Sequence, residues 1–127
     1  MAQFEVTGQV DFAIISVDGS EALGEMQVAP AMLNPFGTVH AGALVWFADV
    51  VATTLVLDGQ VVTEGMDSFP VAVTLNAQLL ANTRTGLLTA RASWVKQGRR
   101  ISTVRTLVSD QDRRVLVDLT STHASAR

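Results

Sequence analysis

With 127 residues, 48% of them hydrophobic and only 17% charged, the chain is sized for one compact domain, read as spanning 1–127, with a substantial core. Its formal net charge of -3 argues against a nucleic-acid binder, which would carry a basic face, and the lack of cysteine excludes disulfides and thiolate metal or redox centres. The opening Met1-Ala2-Gln3-Phe4 has neither the basic nor the apolar region of a signal peptide, so cytoplasmic residence is expected.

Residues 12–17 and 22–28 form two short runs around Asp18-Gly19-Ser20, and are predicted to be a hairpin whose glycine supplies an unusual backbone angle. After it comes a loop punctuated by Pro35 and Gly37, with Thr38 as the expected N-cap of a helix. From His40 to Leu57 the only ionisable side chains are His40 and Asp49. A helix this apolar must be covered on nearly all sides, and a carboxylate in its middle needs a reason. The segment lies at the lower edge of transmembrane length, but Asp49 near a bilayer centre would cost about 3 kcal/mol, and neither end has a basic flank. A helix wrapped inside a fold accounts for the same residues, and no membrane association is expected.

The remainder reads as strands. Residues 71–79 alternate, with Val71, Val73, Leu75, Ala77 and Leu79 on one face and Ala72, Thr74, Asn76 and Gln78 on the other. Residues 87–96, 100–108 and 115–123 continue the pattern, separated by Gln97-Gly98-Arg99 and Ser109-Asp110-Gln111-Asp112. Connections this short cannot make parallel crossovers, so the strands are expected to be antiparallel neighbours. The order is two strands, one long apolar helix and four strands, which predicts an α+β fold in which a curved antiparallel sheet wraps around one central helix.

In that frame the sequence resembles the hotdog-fold acyl-CoA thioesterases of the phenylacetate-pathway and hydroxybenzoyl-CoA group. Their signature is an Asn, a short loop with Gly, His-Gly-Gly, and then Asp or Glu along the helix. Here it stands as Asn34, Gly37, His40-Ala41-Gly42 and Asp49, and the strands follow the same order over almost the whole chain. Two positions depart from it. Ala41 replaces the first Gly of the pair, keeping the backbone N–H but adding a methyl group where an acyl group would lie. Relatives place a Ser or Thr on the strand after the helix to help hold the reacting water. The corresponding residue here is Ala72; either Thr74, one pleat away on the expected same face, substitutes for it, or water placement rests on Asn34 alone.

The residues also support a chemical reading without that resemblance. A thioester carbonyl gains negative charge when attacked, and N–H groups at a helix N-terminus are unpaired and lie at the positive end of its dipole. The N–H of Ala41, joined by that of Gly42, is the candidate oxyanion hole. Asp49 lies about 12 Å further along an ideal helix, too far to serve the same carbonyl. The distance closes if a second copy lays its helix antiparallel beside the first, which predicts a two-fold dimer with two shared sites, and a dimer of dimers as the larger form. The resemblance implies the same arrangement. Asp49 would be general base or nucleophile, its pKa raised by an apolar setting; the alternative is an Asp that caps a loop or pairs across an interface.

Asn34 is a candidate for holding the water or the thioester oxygen, or else a turn former before Pro35. His40 is assigned to bracing the loop or contacting the thioester end, or to a structural role. His123, near the end of the last strand, reads as structural or exposed. No cluster has metal-ligand spacing, so neither metal nor cofactor is expected. Arg84, Lys96, Arg99 and Arg100 are candidate contacts for coenzyme A phosphates, against the alternative of solvated surface. Trp46, Phe47, Phe69 and Trp94 are core candidates, some of which must line an acyl tunnel. The expected activity is acyl-CoA thioester hydrolysis. The alternatives are a non-catalytic acyl-CoA sensor, favoured by Ala41 and Ala72, and a hotdog hydratase or dehydratase, which normally needs a His and an acid on one carbon.

Overall fold

The computed structural model describes residues 3–57 and 70–125. Strands β1 (Ala13–Val17) and β2 (Glu21–Gln27) form the first hairpin, followed by a single 3-10 turn at Pro30–Met32 and helix α1 (Ala41–Val56). Strands β3 (Pro70–Leu79), β4 (Leu87–Lys96), β5 (Ile101–Ser109) and β6 (Val115–Ser125) complete one six-stranded sheet. Its order is β1-β2-β4-β5-β6-β3, antiparallel throughout. The chain leaves β2 near one edge, crosses the sheet as α1, and enters β3 at the other edge.

The first hairpin closes differently from the expectation. Gly19 is not among the residues with positive φ; instead the Asp18 carboxylate accepts from the N–H of Ser20 (2.7 Å) and of Glu21 (2.9 Å). A side-chain acceptor in the turn removes the need for a special glycine angle.

Ala43, Leu44, Phe47, Ala48, Val51, Ala52 and Leu55 form the buried face of α1. They meet Ala22 and Met26 of β2, Leu88, Ala90 and Ala92 of β4, Val104 and Val108 of β5, and Val117 and Leu119 of β6 in one core. Small residues let the helix lie close to the sheet. A Cβ on Gly24 of β2 would fall 2.6 Å from Val51 Cγ2 and 3.0 Å from Phe47 Cε1, so a larger residue there would push the helix away.

Among the described residues, only that face is covered. Ala41 and Gly42 are exposed, Trp46 is half exposed, and Asp49, Val50, Thr53 and Thr54 are half buried along the opposite stripe. Among the described residues the neighbouring edge is equally bare: β3 pairs on one side only, and Val71, Val73, Leu75 and Leu79 are about half exposed. A long, half-exposed apolar edge strand thus lies beside the helix stripe that the described residues leave uncovered.

Strand β3 also contains a bulge. Ala72 lies opposite His123 and Thr74 opposite Thr122, so Val73 is an extra residue. The alternation read from the sequence therefore breaks there. Ala72 faces the helix, and so do Leu75, Ala77 and Leu79, opposite Ser121, Leu119 and Val117, whereas Thr74, Asn76 and Gln78 face outward.

Candidate active site

The loop that delivers α1 is shaped by one side chain. Asn34 Oδ1 accepts from the N–H of Phe36 (2.9 Å) and of Thr38 (3.1 Å), and Asn34 Nδ2 donates to Thr38 Oγ1 (2.9 Å). The Asn34 N–H donates to the Thr38 carbonyl and the Gly37 N–H to the Asn34 carbonyl, while Gly37 takes a φ of 84° that favours glycine. Asn34 is thus the residue that closes the turn. With its hydroxyl taken by Asn34, Thr38 is not the helix cap. The cap position is His40, whose carbonyl accepts from Ala43 (3.0 Å) and Leu44 (3.3 Å) and whose N–H donates to Met32 (3.0 Å). No side chain caps the helix.

Ala41 and Gly42 are left with N–H groups that reach no backbone acceptor among the described residues. They lie at the positive end of the helix dipole. A Cβ on Gly42 would meet nothing within 4 Å, so the described residues give no packing reason for a glycine there. The mouth is braced from the β3–β4 connection: the Val39 N–H donates to the Thr83 carbonyl (3.1 Å), Asn82 Nδ2 donates to the Val39 carbonyl (2.8 Å), and Arg114 Nη2 donates to the Asn82 carbonyl (2.8 Å). Arg84, in that connection, lies over the loop, with Nη1 2.5 Å from where a Gly37 Cβ would be.

Two turns along the helix, Asp49 enters a cleft of about 400 Å³ with Val50, Thr53, Thr54, Leu57, Pro70, Val71 and Ala72. Its Oδ1 is buried with no hydrogen-bond partner. Burial pushes the Asp49 carboxyl above the ordinary carboxylate value, and His123 opposes that shift. His123 is 1% exposed and its Nε2 lies 2.8 Å from Ser121 Oγ. Burial lowers the His123 pKa, with Asp49 acting in the other direction.

The chain thus lays one helix across a six-stranded antiparallel sheet, with unpaired N–H groups at the helix start and a half-buried carboxylate in its middle. The sequence model of the thioesterase superfamily matches residues 36–117. The chain belongs to this superfamily. No curated protein sequence matches it. Among solved structures it is similar to a thioesterase from Haemophilus influenzae, 22% identical over 91% of this chain and 78% of that one, with a TM-score of 0.80. A hypothetical thioesterase from Streptococcus pneumoniae, solved with coenzyme A, is 19% identical over 91% and 89%, with a TM-score of 0.79. A mutant thioesterase from Staphylococcus aureus is 17% identical over 90% and 92%, with a TM-score of 0.81. These likenesses establish the hotdog fold.

Set in this thioesterase-superfamily fold, the candidate residues fall into groups. Asn34, His40, Ala41, Gly42 and Arg84 gather at the start of α1. Asp49 is further along the same uncovered stripe. Lys96, Arg99 and Arg100 lie at the opposite end of the sheet, where the Gly98 N–H donates to Ser102 Oγ (3.1 Å) and Ser102 stands opposite His123. Thr74 does not share Ala72's face, because the Val73 bulge turns it outward beside Thr122, so it cannot replace a hydroxyl at Ala72. Phe47 is fully buried; Trp46 meets Phe12 edge to face with ring centroids 4.9 Å apart; Trp94 donates from Nε1 to the Gly19 carbonyl (2.9 Å). Phe69 lies outside the described residues. His123 is the residue the sequence reading undervalued. Its signal was the alternation Val117, Leu119, Ser121, His123, which keeps it in phase with the buried face of β6.

Proposed function

We propose that the protein hydrolyses acyl-CoA thioesters at sites shared between two copies of the chain. The observation that carries this reading is the Asp49 carboxylate: it stands on the helix stripe that the described residues leave uncovered, with Oδ1 buried and, among those residues, unpartnered beside an apolar cleft. Antiparallel contact of two such stripes, with the bare β3 edges pairing alongside, brings Asp49 of one copy near the free Ala41 and Gly42 N–H groups of the other. The open space at Gly42 supports the same packing.

In this mechanism the thioester carbonyl oxygen accepts from the Ala41 and Gly42 N–H groups, which hold the negative charge that develops on it. Asp49 takes a proton from a water molecule as that water's oxygen bonds to the carbonyl carbon. The tetrahedral intermediate then collapses, the carbon–sulfur bond breaks, and the departing thiolate takes up a proton, leaving a free acid and a thiol. Direct attack by an Asp49 oxygen on the carbonyl carbon would instead break the carbon–sulfur bond, release the thiolate and form a mixed anhydride, which water cleaves to the free acid and the Asp49 carboxylate. With Ala72 lacking a hydroxyl, Thr53 is the residue for holding the water: it lies one turn beyond Asp49 and lines the same cleft, whereas the Thr54 hydroxyl is bound to the Val50 carbonyl.

The coenzyme A assignment draws on Arg84 at the mouth and on the coenzyme A held by the pneumococcal structure. In the antiparallel pairing, the second copy would also bring its Lys96, Arg99 and Arg100 to the end where Arg84 stands. Among the described residues, no helix is long and apolar enough to cross a membrane. Two features favour a second reading, a non-catalytic acyl-CoA sensor: Ala41 puts a methyl group near where the acyl group would lie, and Ala72 lacks a hydroxyl. Free-thiol release from a panel of short, long and aromatic acyl-CoAs, measured beside equilibrium binding, tests both. Turnover of at least one thioester supports the hydrolase, and tight binding without turnover overturns it.

A further inference from the structure

Among the described residues, three buried side-chain polar atoms lack a hydrogen-bond partner: Asp49 Oδ1, Thr106 Oγ1 and His123 Nδ1. A buried polar group left unpaired costs about 1–3 kcal/mol, so two such atoms in one corner of a small domain call for an explanation. Asp49 and His123 share that corner. Asp49 lines its cleft with Ala72, and Ala72 is the cross-strand neighbour of His123. Each also responds electrostatically to the other.

We propose that His123 is a positioning residue for Asp49: Ser121 fixes the imidazole through Nε2, and Nδ1–H is directed to Asp49 Oδ1, orienting the carboxylate so that its other oxygen meets the reacting water. The proposal rests on Asp49 being the base or nucleophile. The proton arrangement follows from the contacts. When the Ser121 hydroxyl donates to Nε2, the ring proton resides on Nδ1 and is available to an ionised carboxylate. In the opposite tautomer, Nε2–H would donate to Ser121 and the Nδ1 lone pair would confront the carboxylate.

Among the described residues, no other ionisable group competes for this role. Helix α1 carries only Asp49, β3 carries none, and on β5 and β6 the pair Arg105–Asp118 is turned to the outer face, bonded at 2.7 Å. On the inner face His123 has Ala72 to one side and Ser102 to the other. Its position therefore acts on one group. A donated hydrogen bond favours the charged carboxylate and counters the effect of burial, so Asp49 stays ionised to lower pH than it would alone.

Two measurements test this. In the first, kcat and KM are followed against pH for the wild type, His123→Leu, His123→Asn and Asp49→Asn. Loss of the donor in His123→Leu lowers kcat by about tenfold to a hundredfold, the scale of a misplaced reacting group, with KM little changed and the acid limb of kcat moved to higher pH. His123→Asn, whose side-chain amide reaches the Nδ1 position, restores most of kcat and the original limb. A folded His123→Leu enzyme with wild-type kcat and an unmoved limb overturns the proposal while leaving the Asp49 assignment standing. An active Asp49→Asn enzyme overturns the assignment itself. The second measurement does not depend on activity or on a folded variant. Nitrogen-15 NMR of the two histidines at mildly alkaline pH reports the tautomer: the Nδ1–H form supports the proposal, and an Nε2–H form at His123 overturns it.

Discussion

Ala72 and His123 stand opposite each other at the last regular pair before the β3 bulge, and Ala72 lines the cleft that Asp49 enters. One residue later the register shifts, so Thr74 looks away from the helix. Function should follow that geometry. Thr74→Val is expected to leave kcat and KM within about twofold of wild type, as an outward substitution away from the site normally does. Ala72→Ser adds a hydroxyl on the cleft side and should change kcat. Steady-state kinetics on a cleaved thioester check both, and a large loss in Thr74→Val with Ala72→Ser silent would reverse the face assignment.

Asp49 offers a paired test of chemistry and stability. If it takes the proton from water, Asp49→Ala lowers turnover at least about a hundredfold, the usual scale for a general base, while the fold persists. Its carboxyl pKa is raised by burial, so the ionised form is disfavoured in the folded state. The carboxylate's contribution to stability is then lost as pH rises from the unfolded value through the raised folded one, and Asp49→Asn should melt higher than wild type at neutral pH. A folded, fully active Asp49→Ala enzyme sinks the assignment.

His123 behaves in the opposite sense with acid. Its folded pKa is lowered, first by burial, so below the ordinary histidine value the unfolded chain binds more protons than the native one. Stability should fall as pH drops through that range. Thermal melts of wild type and His123→Leu across it are expected to differ in slope, the variant lacking this component. Parallel slopes would show that His123 is not the group involved.

Much of this architecture could be read from the chain because its patterns are local. The apolar run after Gly37, the alternation in residues 87–96 and 115–123, and the short connections each fix an element without knowledge of distant contacts. The observed bounds of α1, β4 and β5 lie within one residue of that reading. What escaped depends on pairing. The Val73 bulge exists only in the register with β6, and the sequence of β3 alternates regularly across it. The N-cap moved from Thr38 to His40 because the Thr38 hydroxyl is drawn into Asn34's turn, a contact no spacing rule reveals. The proximity of Asp49 and His123 joins residues 74 positions apart, and only the fold can make it.

Asn34 separates a turn former from a water holder. Its Oδ1 accepts two backbone N–H groups, and Asn34→Ala leaves both unpaired, so stability should fall by about 1–2 kcal/mol and activity with it, as the start of α1 loosens. Asn34→Asp keeps the acceptor but replaces the Nδ2 donor. If closing the turn is the whole role, Asn34→Asp retains most stability and most kcat. If Nδ2 also holds the water or the thioester oxygen, kcat falls while the melting temperature stays, and the two readings are told apart by measuring both.

The shared site makes the strongest demand on the proposed dimer. Asp49 and the Ala41 N–H lie about 12 Å apart along one helix, so one chain cannot bring both to a single carbonyl. Asp49→Asn removes the base, and Ala41→Trp blocks the helix start at a position its own chain leaves exposed, so each variant alone should be inactive yet folded. Mixed dimers would contain one doubly damaged site and one intact site. Activity should therefore return on subunit exchange, approaching a quarter of the wild-type rate if subunits assort at random. That fraction follows because half of the dimers are mixed and each holds one of two working sites. A charge on the bare β3 edge, as in Val73→Lys, should abolish this recovery by opposing pairing, with light scattering showing the shift to monomers. If exchanged heterodimers are demonstrated and remain inactive, Asp49 and Ala41 do not meet across two chains, and the cross-subunit mechanism falls.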